Sequence, residues 1–93
     1  MAIKYSQHIL NRLNLRRIEY DLPKRIYEQS HDRYYDTETG YMVAVMEAEL
    51  YGKKRDVMVA YAVDGEDVRL LTIHPLKEGQ KGAREQSQRW RKL

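Results

Sequence analysis

The chain has 93 residues, no cysteine, and 17 Lys or Arg residues against 14 Asp or Glu, for a formal net charge of +3. This length predicts a single domain over residues 1–93 with one modest core. The lack of cysteine excludes disulfides, thiolate zinc sites and a cysteine nucleophile. The uncharged apolar stretch at residues 41–46 is far shorter than the roughly 20 residues of a transmembrane helix. We therefore expect a cytoplasmic protein that does not enter a membrane.

The positive charge is concentrated at the two ends of the sequence. Residues 1–34 carry seven Lys or Arg against four Asp or Glu, and residues 76–93 carry six against two. Residues 35–75 carry four against eight. Basic segments around an acidic centre are typical of a protein that binds a polyanion or an acidic partner. An ordinary solvated surface with a charged tail is the alternative interpretation.

Two helices are predicted at the start of the chain. Ser6 is a good N-cap for a helix that runs to about residue 15. Asp21 can cap a second helix over residues 22–29, with Pro23 in the first turn, where no backbone donor is needed. The apolar residues expected to face the core are Ile9, Leu10, Leu13, Leu22 and Ile26. Together the two segments predict a helical hairpin.

Alternating apolar and polar residues then predict four strands. The predicted strands cover residues 33–35, 41–51, 56–63 and 68–74. Turn-forming residues lie between them, at 36–40, 52–54 and 64–67. Pro75 ends the last strand because it cannot donate a hydrogen bond to a neighbouring strand. Short turns between consecutive strands predict a mainly antiparallel sheet.

The remaining sequence predicts a loop at residues 76–82 and a basic helix over residues 83–93, docked through Trp90. The order of elements therefore predicts an α+β fold. In this fold an N-terminal helical hairpin packs on a four-stranded, mainly antiparallel sheet, with the C-terminal helix beside it.

One face of the first predicted helix carries His8, Arg12 and Arg16 at intervals of four residues. Two guanidinium groups one turn apart repel each other, and a bound phosphate would offset that repulsion. Pairing with Glu19, or with a strand residue such as Glu47 or Glu49, is the alternative explanation.

Short motifs give the chain a resemblance to a known family. They are Tyr5-Ser6-x-His8-x-x-x-Arg12, Arg16-x-Ile18 and Val68-x-Leu70-x-Thr72-x-His74-Pro75. With the element order, they resemble a widespread family of small bacterial domains of the RelE-like toxin superfamily, near BrnT, over roughly residues 3–76. The family usually has Gly where this chain has Arg17. The resemblance implies a ribonuclease toxin, with helices packed on a curved antiparallel sheet and an antitoxin protein that masks the site.

Metal-independent RNA cleavage needs a base for the 2′-hydroxyl proton, an acid for the leaving 5′-oxygen, and cations around the phosphorane. The candidates for proton transfer are His8 and His74, and those for phosphate binding at the reacting centre are Arg12 and Arg16. The alternative interpretations are that His8 is a first-turn helix residue bonded to a nearby carbonyl and that His74 is an ordinary polar residue at the end of a strand. Further candidates for RNA binding are Arg17, Lys81, Arg84, Arg89, Tyr34 and Tyr35. Tyr34 and Tyr35 are the tyrosines expected to be free for stacking on bases, although core packing is the commoner use of a strand tyrosine.

No histidine spacing typical of a metal site and no glycine-rich phosphate loop is present in the sequence, so no metal or cofactor is expected. The expected partners are RNA, free or on the ribosome, and a cognate antitoxin. The sequence does not determine the oligomeric state.

Two alternatives to the toxin function stay open. One is a non-catalytic RNA- or protein-binding module of the same fold, and the other is a fold kept for assembly, with an apolar patch around Met42 and Met46.

Overall fold

The computed structural model describes residues 2–93 and contains six strands and three helices within them. In chain order these are β1 (Ile3–Tyr5), α1 (Gln7–Arg16), α2 (Leu22–Gln29), β2 (Asp32–Asp36), β3 (Met42–Leu50), β4 (Lys53–Asp64), β5 (Asp67–Pro75), α3 (Gln80–Gln86) and β6 (Trp90–Lys92).

All six strands belong to one sheet, in the order β1-β5-β4-β3-β2-β6. Strands β2 to β5 follow one another through short turns and pair antiparallel, as the sequence predicts. The predicted count of four strands is wrong because a three-residue strand is added at each edge. β1 pairs parallel with the start of β5, and β6 pairs antiparallel with β2. The fold is α+β, with a mixed six-stranded sheet.

Helices α1 and α2 pack on the same face of the sheet. The Ser6 side chain accepts a hydrogen bond from the Ile9 backbone N–H at 3.0 Å, which confirms the predicted N-cap. Asp21 makes no such cap bond and instead forms an ion pair with Arg25 at 3.6 Å. Helix α1 packs on β5, and α2 packs mainly across β3 and β4. Each helix has more extensive contacts with the sheet than with the other helix.

The hydrophobic core beneath α1 and α2 is called the helix-side core. Alternate residues of the strands point into it because successive side chains of a strand face opposite ways. Its buried members are Ile9, Leu13, Ile18, Leu22, Ile26, Ala44, Leu50, Val57, Val59, Tyr61, Val68, Leu70 and Ile73. Met42 and Met46 pack against this core rather than forming a separate surface patch.

A second, smaller core lies on the opposite face of the sheet and is called the cleft-side core. Its buried members are Tyr34, Val43, Val45, Met58, Ala60 and Trp90. Trp90 reaches it from β6, so the prediction of one helix over residues 83–93 is wrong. Helix α3 ends at Gln86, and Gln88 then adopts a positive φ of 61° that turns the chain towards β2.

Like Gln88, two further residues other than glycine take up left-handed backbone conformations within residues 2–93, Arg17 and Tyr51. Arg17 has φ 54° and closes α1 by donating its backbone N–H to the Leu13 carbonyl. This conformation suits glycine, the residue that the resembled family usually has there. Tyr51, with φ 57°, precedes Gly52, with φ 74°, in a two-residue turn between β3 and β4. The predicted turn at 52–54 is therefore displaced, and β4 begins at Lys53.

Candidate functional site

A cleft of about 700 Å³ opens on the face of the sheet opposite α1 and α2. It runs from β5, across β4, to the turn between β2 and β3, with α3 along one side. Its apolar floor is formed by Met58, Ala60 and Leu71, and its lining also includes His8, Thr72, His74, Arg84, Arg89, Trp90 and Tyr41. Imidazoles therefore lie at one end of the cleft and aromatic rings at the other.

A β-bulge in β5 directs His74 towards this cleft. Tyr61 pairs with Leu70, whereas the preceding residue Ala60 pairs with Thr72, so Leu71 is an extra residue in the strand. The extra residue reverses the alternation of side chains along β5. Val68 and Leu70 face the helix-side core, whereas Thr72 and His74 lie opposite Ala60 and Met58, on the cleft side. A regular strand would place His74 beneath the helices.

Both ring nitrogens of His74 have partners. The Arg12 guanidinium contacts Nδ1 through Nη2 at 2.5 Å, and its Nε donates to the Ile73 carbonyl at 2.6 Å. Because arginine can only donate, Nδ1 must be the acceptor and the ring proton lies on Nε2. Nε2 is 3.2 Å from the hydroxyl oxygen of Thr72, which accepts that proton's hydrogen bond. Arg12 and Thr72 together fix one neutral tautomer of His74.

The surroundings of His74 disfavour its protonated form. Burial, and next the positive charge of Arg12, lower the pKa of His74 from 6.5 to about 4, with smaller contributions from His8, Arg16 and Arg84. His74 is therefore neutral at pH 7. In this state it can take up a proton only if Arg12 releases Nδ1.

The predicted stripe on α1 is only partly assembled into one site. His8 lines the cleft at its imidazole end, and Arg12 contacts His74. Arg16 is exposed at the end of α1 and does not line the cleft. Burial, and next the charge of Arg16, lower the pKa of Arg12.

The alternative explanation, that carboxylates neutralise this stripe, is not realised in the structure. Glu19 pairs with Arg25 at 3.1 Å instead. Within residues 2–93, no ion pair joins Arg12 or Arg16 to Glu19, Glu47 or Glu49.

Two of the predicted RNA-binding cations line the cleft. The Arg84 guanidinium lies over the Trp90 ring, 5.3 Å from its centroid. Arg89 also lines the cleft, but it pairs with the carboxylates of Asp36 at 3.2 Å and Glu38 at 3.3 Å.

The other two predicted RNA-binding cations lie elsewhere. Lys81 forms an ion pair with Asp32 and lines a separate depression beside the β3–β4 hairpin. Arg17 is exposed at the end of α1, outside the cleft. The structure therefore does not bring Arg17 and Lys81 to His74.

The expectation that Tyr34 is free is wrong, since its side chain is only 1% exposed. Its ring packs beside Trp90 in the cleft-side core, with 5.3 Å between the ring centroids. Tyr35, the next residue of β2, is 36% exposed but pairs with Met42 on the helix side of the sheet. Because neighbouring strand residues face opposite ways, no regular strand could bring both rings to one site.

Sequence reasoning assigned no site role to Thr72, Tyr41 or Asp36. Thr72 precedes His74 by two residues and so shares its face, a relation that strand periodicity could have indicated. Tyr41 lines the far end of the cleft. Asp36 is buried behind Arg89 and Trp90, and it accepts hydrogen bonds from both side chains. No sequence signal connects Asp36 to residues more than 50 positions away.

In the described residues 2–93, no three His, Asp or Glu side chains are placed together as a metal-binding group. None of the helices found in that range is long and apolar enough to cross a lipid bilayer. No protein-family model, curated protein or solved structure matches this chain.

Proposed function

We propose that the protein is a metal-independent endoribonuclease of the toxin class that cleaves RNA at the imidazole end of the cleft. The observation that carries the proposal is the contact between Arg12 and the neutral ring of His74, beside His8 at the rim of a basic cleft. A base held neutral next to a phosphate-binding cation is the combination that phosphodiester cleavage by a 2′-hydroxyl requires.

The chemistry follows from what Arg12 prefers as a partner. A phosphate accepts two charge-assisted hydrogen bonds from a guanidinium and is a stronger partner than an imidazole nitrogen. When Arg12 turns to the phosphate, His74 Nδ1 becomes free to take the 2′-hydroxyl proton. The 2′-oxygen then attacks phosphorus, and the 5′-oxygen leaves with a proton donated by His8. The products are a 2′,3′-cyclic phosphate and a 5′-hydroxyl end.

The toxin assignment includes a cognate antitoxin and a cytoplasmic location. Its support is the resemblance to the RelE-like superfamily and the basic charge of both end segments. The RelE-like arrangement of helices on a curved sheet belongs to the same proposal. The exposed Arg16 and Arg17 extend the basic surface beyond Arg12, where the backbone of RNA or an acidic antitoxin segment can bind.

The test is incubation of the purified protein with labelled single-stranded RNA in the presence of a chelator. We expect 2′,3′-cyclic phosphate and 5′-hydroxyl ends, and growth arrest when the protein is expressed in a bacterial host. His8→Ala and His74→Asn should each lower the cleavage rate by about 10²- to 10⁴-fold, as removal of a proton-transfer group does. His31→Ala is the matched control, since His31 is exposed in the connection before β2. Cleavage retained in the double variant at positions 8 and 74 contradicts the proposal.

One observation favours the second candidate, a non-catalytic RNA- or protein-binding module. Both nitrogens of His74 are already hydrogen-bonded, and its pKa of about 4 makes it a weak base. RNA that binds with a steep salt dependence and stays intact, from folded protein, would support this module.

A further inference from the structure

Among the described residues, Arg84 is a half-buried cation without a counter-ion. Its guanidinium lines the cleft and lies over Trp90, and its Nε is buried without a hydrogen-bond partner. Within residues 2–93, no carboxylate forms an ion pair with Arg84, whereas Lys81 pairs with one carboxylate and Arg89 with two. A charge partly removed from water without a partner favours the binding of an anion.

The rest of the cleft is suited to a flat aromatic group. Its floor is apolar at Met58, Ala60 and Leu71, and the Tyr41 ring at its far end is 45% exposed. A volume of about 700 Å³ lies within the range of about 300–1,000 Å³ that small-molecule sites have. An exposed aromatic ring beside an apolar floor is a surface on which a nucleobase can stack.

From these two features we infer that the cleft binds one nucleotide of single-stranded RNA. Its base leaves the stack of neighbouring bases and lies against the Tyr41 ring over Ala60, and its phosphate binds Arg84. Bases inside a duplex are stacked and cannot enter such a cleft, so double-stranded RNA is excluded as the ligand. That the ligand is RNA rests on the proposed function. The inference adds that the RNA is single-stranded and names the residues that bind its base and its phosphate.

Trp90 is the only tryptophan in the chain, so its fluorescence reports on the cleft. The experiment titrates the whole protein with each of the four nucleoside 3′-monophosphates, with inorganic phosphate, and with the nucleosides. We expect saturable fluorescence changes with the nucleotides. Inorganic phosphate and nucleosides should bind at least tenfold more weakly, because each retains only one of the two contacts.

Variants assign the contacts to residues. Arg84→Gln should weaken nucleotide binding by about tenfold or more, and Tyr41→Leu should weaken it while leaving the affinity for inorganic phosphate unchanged. Arg91→Gln is the matched control, because Arg91 is exposed and pairs with Tyr35 in the neighbouring strand, outside the cleft. Thermal melting shows that each variant is folded.

The outcomes separate this inference from the proposed function. Nucleotide binding that depends on Arg84 and Tyr41 supports the inference even if RNA is never cleaved. Cleavage of RNA with no saturable nucleotide binding leaves the proposed function standing and overturns the inference. Equal affinity for nucleotide and inorganic phosphate overturns it as well, since that result describes a simple anion site. An equal loss in the Arg91 and Arg84 variants also overturns it.

Discussion

At the scale of single residues, Arg12 has both a structural and a chemical role. It joins α1 to the edge of β5 by donating to the Ile73 carbonyl, and it also occupies the acceptor nitrogen of His74. The first contact satisfies a carbonyl that β1 leaves unpaired, since β1 pairs with β5 only up to Leu70. A ligand that draws the guanidinium away from His74 therefore acts on a residue that also holds α1 in place.

The titration of His74 makes stability depend on pH. Its pKa is about 4 in the folded protein against an ordinary value of 6.5, so between these pH values the unfolded chain binds the extra proton. The free energy of unfolding should therefore rise with pH across this window, and the contribution should be complete above pH 6.5. Urea denaturation at pH 5 and pH 7 measures the difference. His74→Asn, which does not titrate, should flatten the dependence; an unchanged slope in this variant would contradict the assignment to His74.

Arg17, at the end of α1, has a left-handed backbone conformation that glycine adopts more easily. Arg17→Gly should raise the free energy of unfolding by about 0.5–1 kcal/mol, because glycine adopts a φ of 54° without a steric penalty. Arg16→Gly removes the same charge from a helical position and should lower the free energy by about 1 kcal/mol. Urea denaturation curves of both variants provide the measurement. A loss of stability in both would contradict the argument from backbone conformation.

At the scale of elements, strand β6 depends on one buried carboxylate. Asp36 is 3% exposed and accepts hydrogen bonds from the Arg89 and Trp90 side chains and from the backbone N–H groups of Glu38 and Thr39. Burial would raise the pKa of Asp36, but the hydrogen bonds, first that of Arg89, outweigh it and lower the pKa. The acidic end of β2 therefore holds the basic segment that follows α3.

Replacing this carboxylate should release β6. Asp36→Ala leaves several donors without an acceptor and should lower the free energy of unfolding by about 3 kcal/mol. Exposure of Trp90 to water should shift its fluorescence to longer wavelength. Glu38→Ala is the control, because Glu38 pairs with the same Arg89 at the surface and should cost less than about 1 kcal/mol. If both variants are equally stable, Asp36 is not the anchor of β6.

The success of the sequence prediction varied with the length of the element. The sequence predicts strands β3, β4 and β5, each of which spans nine or more residues, and it predicts both long helices from an apolar stripe. β1 and β6 have three residues each, too few for a periodicity, and their partners are distant in sequence. Tertiary pairing, rather than local propensity, determines both strands.

At the scale of the whole molecule, the fold brings basic side chains from both ends of the sequence to one cleft. The basic N-terminal segment supplies His8 at one end of the cleft and Arg12 in contact with His74, and the basic C-terminal segment supplies Arg84 along its side and Arg89 at the other end. Much of the acidic middle segment forms the central strands between them. Because side chains from both end segments line the same cleft, a modest net charge of +3 produces a locally basic cleft.

The membership of the cleft could be predicted only in part. The chemistry of their side chains predicts His8, His74, Arg84 and Arg89 as site residues, and the structure places all four around one cavity. The orientation of His74 depends on the bulge at Leu71, which has no sequence signature of its own. Likewise, nothing in the sequence around β2 shows that Trp90, which is distant in sequence, covers Tyr34 in the folded chain.

The two cores on opposite faces of the sheet also make the protein a practical scaffold for design. The helix-side core has 13 buried members and the cleft-side core has six, so most of the apolar packing lies away from the cleft. Positions 58, 60 and 71 form the cleft floor without belonging to the larger core. A library randomised there should yield folded members with new ligand preferences, because altering the floor leaves the packing of α1 and α2 intact.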